Sequence, residues 1–402
     1  MPYAWTTQDW QTVALMLIHL LAGAALMLGW HSRLAAASAW FLTLSLVARN
    51  PLAMNHGDKL LVLLLFASLF LPLGRYLSLD ARAKKDPPLT AASRWWTSFG
   101  STFLILQIVL IYFVSGLHKS STAWGIEYEA VRIALMDASH ATSLGQALTQ
   151  FPLVLKAMTF ATIYLEQIFI LLLLSPLYNQ AFRCVLALIF AGLHIGIILT
   201  MDLVLFPWVC LVAWAAILPT PVYDTLWRRV PAAKATPANI TPTWQPTVIA
   251  IAFMALLVAT AIPPGRTAPW TRPLATVSET LRLNQRWVMY SPLPIPETRW
   301  FALYALDDAG RKKSLYPQAG ESFEITAPTL RCASYPNIDF RKFFLNLAER
   351  KDPLLYQATC EAFARHAGHD VTGRFEIELW TRANYPIPAS EFTSRIIYSS
   401  PP

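Results

Sequence analysis

The chain has 402 residues, of which 55% are hydrophobic and only 14% are charged. Soluble domains carry about 25% charged residues, so this shortage of charge, together with apolar runs of about 20 residues, indicates a polytopic membrane protein. The net charge of +8 arises mainly in loops between apolar runs, and no basic stripe with interleaved aromatic residues is present, which argues against a nucleic-acid-binding protein.

Hydropathy predicts an all-α polytopic bundle of about eight transmembrane helices, followed by a small C-terminal α+β extracytoplasmic domain. The predicted spans lie at about 11–30, 34–54, 59–76, 97–117, 153–175, 181–200, 203–219 and 246–263. The amphipathic segment Trp124–Asp137 is expected to lie along the membrane interface. The resulting domains are a transmembrane domain (1–230), a loop with the last span (231–265) and an outer domain (266–402).

Alternate loops differ in their basic residues, and this difference sets the predicted orientation. One set of loops is cytoplasmic by the positive-inside rule, and it holds Arg33, Arg75, Arg82, Lys84, Lys85, Arg94, Arg183, Arg228, Arg229 and Lys234. The other set mixes acidic and basic residues and is therefore predicted to face outward. His56, Lys119, the loop after His194 and the C-terminal domain are expected on that outer side.

The region after Pro263 shows strand and helix patterns that predict a small α+β domain. The predicted strands are Trp300–Leu306, Phe323–Thr326 and Arg374–Trp380, and the predicted helices are Ile338–Ala348 and Leu355–His366. Because two cysteines in one small domain outside the cytoplasm favour a disulfide, Cys332 and Cys360 are predicted to be bridged. Cys184 and Cys210 lie in spans and are interpreted as packing residues. No CxxC pair is present, so no metal site is predicted.

Lys119, at the end of the fourth span, is the first candidate chemical group. A lysine acts as a base only when its amine is neutral, and desolvation in a pocket at the membrane boundary disfavours the ammonium form. The alternative is a lysine that extends from the helix end toward lipid head groups.

Two further segments present imidazoles at the same predicted face. Asn55-His56-Gly57-Asp58 could bind a polar head group or hold a second base, or could simply form a turn and a helix N-cap. His194 is expected to face the bundle interior, either at a site or in a structural hydrogen bond between helices. The mid-span Glu166 must be paired or protonated, and its depth favours a structural role away from the outer face.

Several motifs, in this order, resemble the membrane part of vitamin K-dependent gamma-glutamyl carboxylase and its bacterial relatives, the HTTM family. They are Arg49-Asn50-Pro51, Asn55–Asp58, Leu71–Arg75, Ser78–Asp80, Tyr112–Lys119, Trp124, and His194 leading into Phe206 and Pro219. The resemblance covers about residues 11–230. The segment Asn284–Pro292 is also similar to the start of the outer domain common in the bacterial group.

In the animal enzyme of this family, a lysine deprotonates vitamin K hydroquinone, oxygen adds, and the strong base that forms removes a γ-proton from glutamate before carbon dioxide is captured. The resemblance implies that Lys119 is the corresponding base, that Asn55 and His56 match an Asn-His pair, and that His194 matches a further histidine. It implies a reduced quinone of the vitamin K or menaquinol type as cofactor, held by Asn55, Tyr112, His118 and Trp124.

The chain also departs from the family pattern. It begins where the family's second span is expected, and the large luminal region that grips the propeptide of animal substrates is absent, which argues against carboxylation of protein glutamate. We therefore expect a quinol-dependent oxygenase or carboxylase in a bacterial inner (plasma) membrane. Its expected partners are the lipid bilayer, a quinone and a protein or small-molecule substrate. The alternative is a non-catalytic assembly or partner-binding protein; a transporter would show inverted repeats, and none is found.

The loop charges predict a C terminus on the outer side, because basic residues accumulate in the loops that remain in the cytoplasm. A reporter enzyme that is active only outside the cytoplasm should therefore be active when it is fused after Pro402. Activity of a cytoplasm-specific reporter at the same fusion point would contradict this orientation.

Overall fold

The computed structural model describes residues 2–75, 78–84, 98–137, 139–226, 244–260, 271–307, 310–316, 338–366, 368, 373–384 and 393–400. A mainly helical bundle is followed by a C-terminal domain built on an antiparallel sheet. The bundle helices are α1 Asp9–Leu28, α2 Ser32–Arg49, α3 His56–Ser68, α4 Leu79–Lys84, α5 Phe99–His118, α6 Thr122–Gly125, α7 Ala130–Met136, α8 Ser143–Leu148, α9 Pro152–Gln167, α10 Asn179–Thr200, α11 Phe206–Ala216, α12 Thr220–Leu226, α13 Gln245–Thr260 and α14 Thr271–Thr280.

Within the described part of the chain, four helices are long and apolar enough to cross a membrane. They are α1, α5, α10, and α9 together with the 3-10 turn that continues it to Leu174. α11 and the segment Gln245–Ala259 are apolar but shorter. The structure therefore supports a membrane protein with four of the eight predicted spans, and the others remain predictions. One reason is that α3 ends at Ser68, well before the end of the predicted span at residue 76.

Helix α5 is the central element of the bundle. It begins at the N-cap Ser98, whose side chain accepts a hydrogen bond from the Ser101 amide at 3.2 Å. Its apolar surface packs against α3, α9 and α13, and Phe103 is fully buried in the core that these helices share. Because α5 has neighbours on several sides, polar side chains along it are removed from lipid and must find partners within the protein.

Two glycines allow helices to approach closely. A Cβ atom on Gly57 would lie 2.6 Å from the Phe206 amide nitrogen, so only glycine lets the start of α3 touch the start of α11. A Cβ atom on Gly116 would lie 2.8 Å from the Gln167 side chain and 3.2 Å from Glu166 Cβ. Small residues at helix contacts let backbones approach in this way, and here they bring α5 against the end of α9.

In its described residues, the C-terminal domain contains a four-stranded antiparallel sheet and two helices. Its strands have the spatial order β2-β1-β3-β4, and the elements are β1 Glu297–Leu306, β2 Lys312–Tyr316, α15 Ile338–Arg350, α16 Pro353–His366, β3 Arg374–Ala383 and β4 Thr393–Ser399. The two predicted helices and the first and last predicted strands are confirmed, whereas β2 and β4 were missed. The strand predicted at 323–326 lies outside the described residues.

The predicted Cys332–Cys360 disulfide is not found. Cys360 is a free thiol on α16, fully buried in the core of the C-terminal domain, and Cys332 lies outside the described residues. Burial raises the pKa of the Cys360 thiol to about 12. Since the thiolate is the reactive form, the structure gives Cys360 the role of an apolar packing residue instead of a bridge.

The core of the C-terminal domain depends on Phe344, which is fully buried and stacks on Phe301 with ring centroids 5.5 Å apart. Phe344→Ala should destabilise the domain by about 3–5 kcal/mol, because it removes a large buried ring and leaves a cavity. Hydrogen exchange should then show faster exchange in β1. Leu354→Ala is the matched control, since Leu354 is 82% exposed; unchanged exchange in Phe344→Ala would contradict this assignment of the core.

Candidate functional site

Lys119 is buried at the C-terminal end of α5, with only 6% of its surface exposed. Its Nζ atom donates a hydrogen bond to Ser115 Oγ at 2.9 Å and forms an ion pair with Glu166. The same ammonium nitrogen lies 4.9 Å from the centroid of the Trp124 ring. This geometry excludes the alternative of a lysine extended toward head groups, because the amine points into the protein.

The position of Glu166 corrects the sequence interpretation. Its depth in the predicted span suggested a structural role away from the outer face, whereas the structure places its carboxylate on Lys119 Nζ. The contact is possible because Gly116 lets α5 approach α9 at this level. Of the two expected states, paired or protonated, the structure shows the paired one, but the sequence did not identify the partner, which lies 47 residues away.

A second polar cluster surrounds Tyr112, deeper on the same helix. The Tyr112 hydroxyl lies 2.7 Å from His194 Nε2 and accepts a hydrogen bond from Trp214 Nε1 at 2.9 Å. The Phe190 ring packs on Tyr112, with centroids 4.4 Å apart. His194 is 1% exposed, and its other ring nitrogen, Nδ1, is buried without a hydrogen-bond partner. Among the described residues, the cluster therefore leaves this buried nitrogen without a protein partner.

His56 lies at the start of α3 and not beside Lys119. Its ring packs on Trp287, with centroids 6.0 Å apart. In the described part of the chain, no hydrogen bond or ion pair joins His56 to Lys119 or His194. His56 approaches the Tyr112 cluster only indirectly, because the adjacent Gly57 contacts Phe206, whose ring lies 5.8 Å from that of His194.

Asn55 and His118 have local structural contacts in the structure. Asn55 caps α3, since its side chain accepts hydrogen bonds from the amides of Gly57 and Asp58 at 2.7 and 3.1 Å. This is the turn and N-cap arrangement expected as the alternative for the motif. His118 is exposed, and its Nδ1 lies 2.8 Å from the Val114 carbonyl oxygen.

Two of the predicted site residues, Tyr112 and Lys119, lie on α5 or at its C-terminal cap. They are seven residues apart, so the His194 cluster lies about two turns, or about 10 Å, from the lysine along the α5 axis. Trp124, which the resemblance also implied, lies directly against Lys119. The contacts of Lys119 and Tyr112 therefore centre on α5, and among the described residues they do not include His56.

The segment from Leu283 to Pro292 packs across this end of the bundle. Gln285 exchanges side-chain hydrogen bonds with the buried Gln107 at 2.9 and 2.8 Å. Lys59, which is 4% exposed, donates to Asn284 Oδ1 at 2.8 Å and to the Arg286 carbonyl at 2.9 Å. These contacts attach the segment from Leu283 to Pro292, which leads into the C-terminal domain, to α3 and α5.

Sequence reasoning missed a buried polar cluster around Asp137, which had appeared only as a loop acid. Asp137 Oδ2 lies 2.7 Å from Arg341 Nη2 of α15 and 3.1 Å from His140 Nδ1, and Ser139 Oγ donates to Asp137 Oδ1 at 2.6 Å. Burial opposes ionisation of this carboxyl, but His140 and Arg341 hold its pKa well below the ordinary value. The Asp137-x-x-His140 spacing could have predicted the pairing of these two residues from the sequence. The contact with Arg341, 204 residues away, could not have been predicted in this way.

The segment Trp124–Asp137, whose predicted position along the membrane interface stays a prediction, contributes the short helices α6 and α7. Both pack against α9, and Trp124, Ala130 and Ile133 form a small core with Ile163. A cleft of about 400 Å³ lies elsewhere, between residues 49–52 and helices α15 and α16. Neither Lys119 nor His194 lines that cleft.

A family model described as the HTTM domain matches residues 4–220, which is more than half of the chain. No curated protein matches the chain, and no solved structure does. The matched region contains α5, α9 and α10, and therefore Lys119, Glu166, Tyr112 and His194. The chain belongs to the HTTM domain family of membrane proteins.

Proposed function

We propose that this protein is a membrane-embedded acid–base enzyme that acts on a reduced quinone, with the Lys119–Glu166 pair as its base. The observation that supports the proposal is the burial of Lys119 in contact with a carboxylate, a hydroxyl and an aromatic ring at the end of an apolar helix. Burying an ionisable group in such a segment costs free energy, so a buried ionisable group there is by default a candidate functional residue.

The pair suits general base catalysis because two basic groups are in contact. The Lys119 amine can pass its proton to the Glu166 carboxylate and then accept another from an acidic hydroxyl brought against it. Ser115 fixes the direction of the amine through its hydrogen bond. The Trp124 ring covers one side and offers a flat apolar surface to an aromatic substrate.

The Tyr112 cluster fits the same class of substrate. His194 Nδ1 is buried and lacks a partner, and a substrate hydroxyl or carbonyl oxygen would satisfy it. The surrounding rings of Phe190, Phe206 and Trp214 provide the apolar surface that an aromatic ligand needs. A bound quinol would supply the acidic hydroxyl and the electrons for reaction with oxygen.

We place the reaction at the outer face, where the loop charges predict Lys119 to lie, and carboxylation would be a second outcome of the same base chemistry. Oxygenation of the quinol needs only the Lys119 and His194 clusters, whereas carboxylation also needs a carbon acid and carbon dioxide. The alternative of a non-catalytic assembly protein needs only the fold, and it requires neither the buried pair nor the unpartnered imidazole nitrogen.

Bound quinone is the most direct test. Protein purified with its native lipids should retain a quinone that mass spectrometry identifies, and His194→Gln should lose most of it, because glutamine can still contact Tyr112 but has no counterpart of Nδ1. His366→Ala, at an exposed histidine of α16, is the control and should retain the quinone. A wild-type preparation that keeps phospholipids but no quinone would contradict the proposal.

The base is tested by Lys119→Arg. Arginine keeps the positive charge and can still pair with Glu166, but it does not give up its proton, so quinol oxidation should fall by about 100-fold or more. Rates are measured by quinol absorbance in detergent, beside thermal unfolding of the same preparation. Lys156→Arg on α9 is the matched control, since Lys156 is 47% exposed.

The two interpretations of Lys119, as a catalytic base or as a structural partner of Glu166, predict different results. Under the acid–base proposal, Lys119→Arg is folded and inactive, while the control variant is folded and active. Under a purely structural role, arginine would replace lysine as the partner of Glu166 and turnover would persist. Wild-type quinol oxidation by Lys119→Arg would therefore remove Lys119 from the mechanism.

A further inference from the structure

A continuous chain of polar contacts runs from the C-terminal domain into the bundle. It begins at Arg341 on α15, whose Nη2 lies 2.7 Å from Asp137 Oδ2. The same carboxylate oxygen lies 3.1 Å from His140 Nδ1. On the other side of the imidazole, His140 Nε2 lies 3.2 Å from the Tyr290 hydroxyl. The chain therefore joins α15 to the segment that precedes the C-terminal sheet.

The chain continues from Tyr290 to the lysine. The Tyr290 carbonyl oxygen accepts a hydrogen bond from Trp124 Nε1 at 3.0 Å. The Trp124 ring in turn lies 4.9 Å from Lys119 Nζ. A parallel contact supports it, because the Ser121 amide donates to the Pro292 carbonyl at 3.4 Å. The polar path thus ends on the ring that covers the amine of Lys119.

The members of this chain have little freedom to rearrange. Asp137 is 2% exposed and His140 is 4% exposed, so water is largely unavailable as a replacement partner. Removing one partner of a buried ion pair leaves an uncompensated charge, which forces the remaining groups to shift. Loss of Arg341 should therefore shift Asp137 and the two side chains in contact with it, His140 and Ser139.

Trp124 depends on this support because of the element that bears it. Helix α6 has only four residues, Thr122–Gly125, and a single helical turn is not stable by itself. Its position is set by tertiary contacts, among them those with Tyr290 and Pro292. The side chain against Lys119 is thus placed both by its packing against α9 and by Tyr290 and Pro292, which lie beyond the HTTM-matched region.

We propose that the C-terminal domain completes the Lys119 site, and that Arg341 is a positioning residue that holds Trp124 over the lysine through Asp137, His140 and Tyr290. This inference rests on the proposed function of Lys119, but the placement of Trp124 is a separate physical claim. It gives the outer domain a role in the site in addition to attaching a folded module to the bundle.

The test measures the environment of Lys119 without requiring turnover. The full-length protein in detergent is labelled with an amine-reactive ester, and mass spectrometry compares labelling of Lys119 with that of Lys156 as an internal reference. Arg341→Gln should raise the relative labelling of Lys119 by about tenfold, as expected when a charged hydrogen bond that holds its cover is lost. Arg365→Gln, at an exposed arginine of α16, should leave it unchanged.

A double-mutant cycle locates the path. Trp124→Phe keeps an aromatic ring but removes the donor to Tyr290, so it breaks the chain at its inner end. Arg341→Gln should then have no further effect on Lys119 labelling in the Trp124→Phe background. Effects that add fully in the double variant would overturn the proposal, because they would show that Arg341 acts on Lys119 by another route.

Hydrogen exchange in β1 checks that each variant is folded. Arg341→Lys keeps the charge but not the forked donor geometry, so it should give a labelling rate between those of the wild type and Arg341→Gln. Unchanged labelling in a folded Arg341→Gln protein would also overturn the positioning role. The outcome is distinguishable from failure of the proposed function, since an inactive wild-type protein could still show the coupled change at Lys119.

Discussion

The arrangement of the bundle's polar groups depends on the contact between Lys119 and Glu166. A lysine buried beside an apolar helix end is tolerated only when its charge has a partner and its donors have acceptors. The partner comes from α9, and the approach of α9 is possible because Gly116 has no side chain. One glycine and one ion pair thus fix the relation of α5 to α9, and with it the position of every side chain that faces the pair.

Helix α5 concentrates polar side chains in an apolar setting. Gln107 bonds to Gln285, Tyr112 bonds to His194 and Trp214, and Lys119 bonds to Ser115 and Glu166. Each of these groups is satisfied by a different neighbouring element, so the bundle cannot lose one neighbour without leaving a buried polar atom unpaired. Next to these paired groups, His194 Nδ1 is one of several buried polar atoms that have no hydrogen-bond partner among the described residues.

The C-terminal domain is attached through specific polar contacts in addition to apolar ones. Asn346 donates to the Leu52 carbonyl at 2.6 Å, and Arg341 reaches Asp137. Together with the bond between Lys59 and Asn284, these contacts connect the outer domain to the loop between α2 and α3, to α3 and to the loop after α7. Buried polar contacts of this kind have strict geometry, and when they are fully satisfied they rigidify the elements that they join.

Hydrophobic periodicity and length were enough to predict the four long apolar helices, the two helices of the C-terminal domain and two of its strands, because these are local properties of the chain. It also singled out Lys119 and His194 as unusual within apolar runs. The contacts between distant segments were not predictable: Glu166 faces Lys119, His56 packs on Trp287, Cys360 is a free buried thiol, and Arg341 reaches Asp137. These contacts depend on which helices pack together and on their relative positions along their axes. Residues that are 47 or 204 positions apart produce no periodic pattern in a single sequence that would predict such a contact.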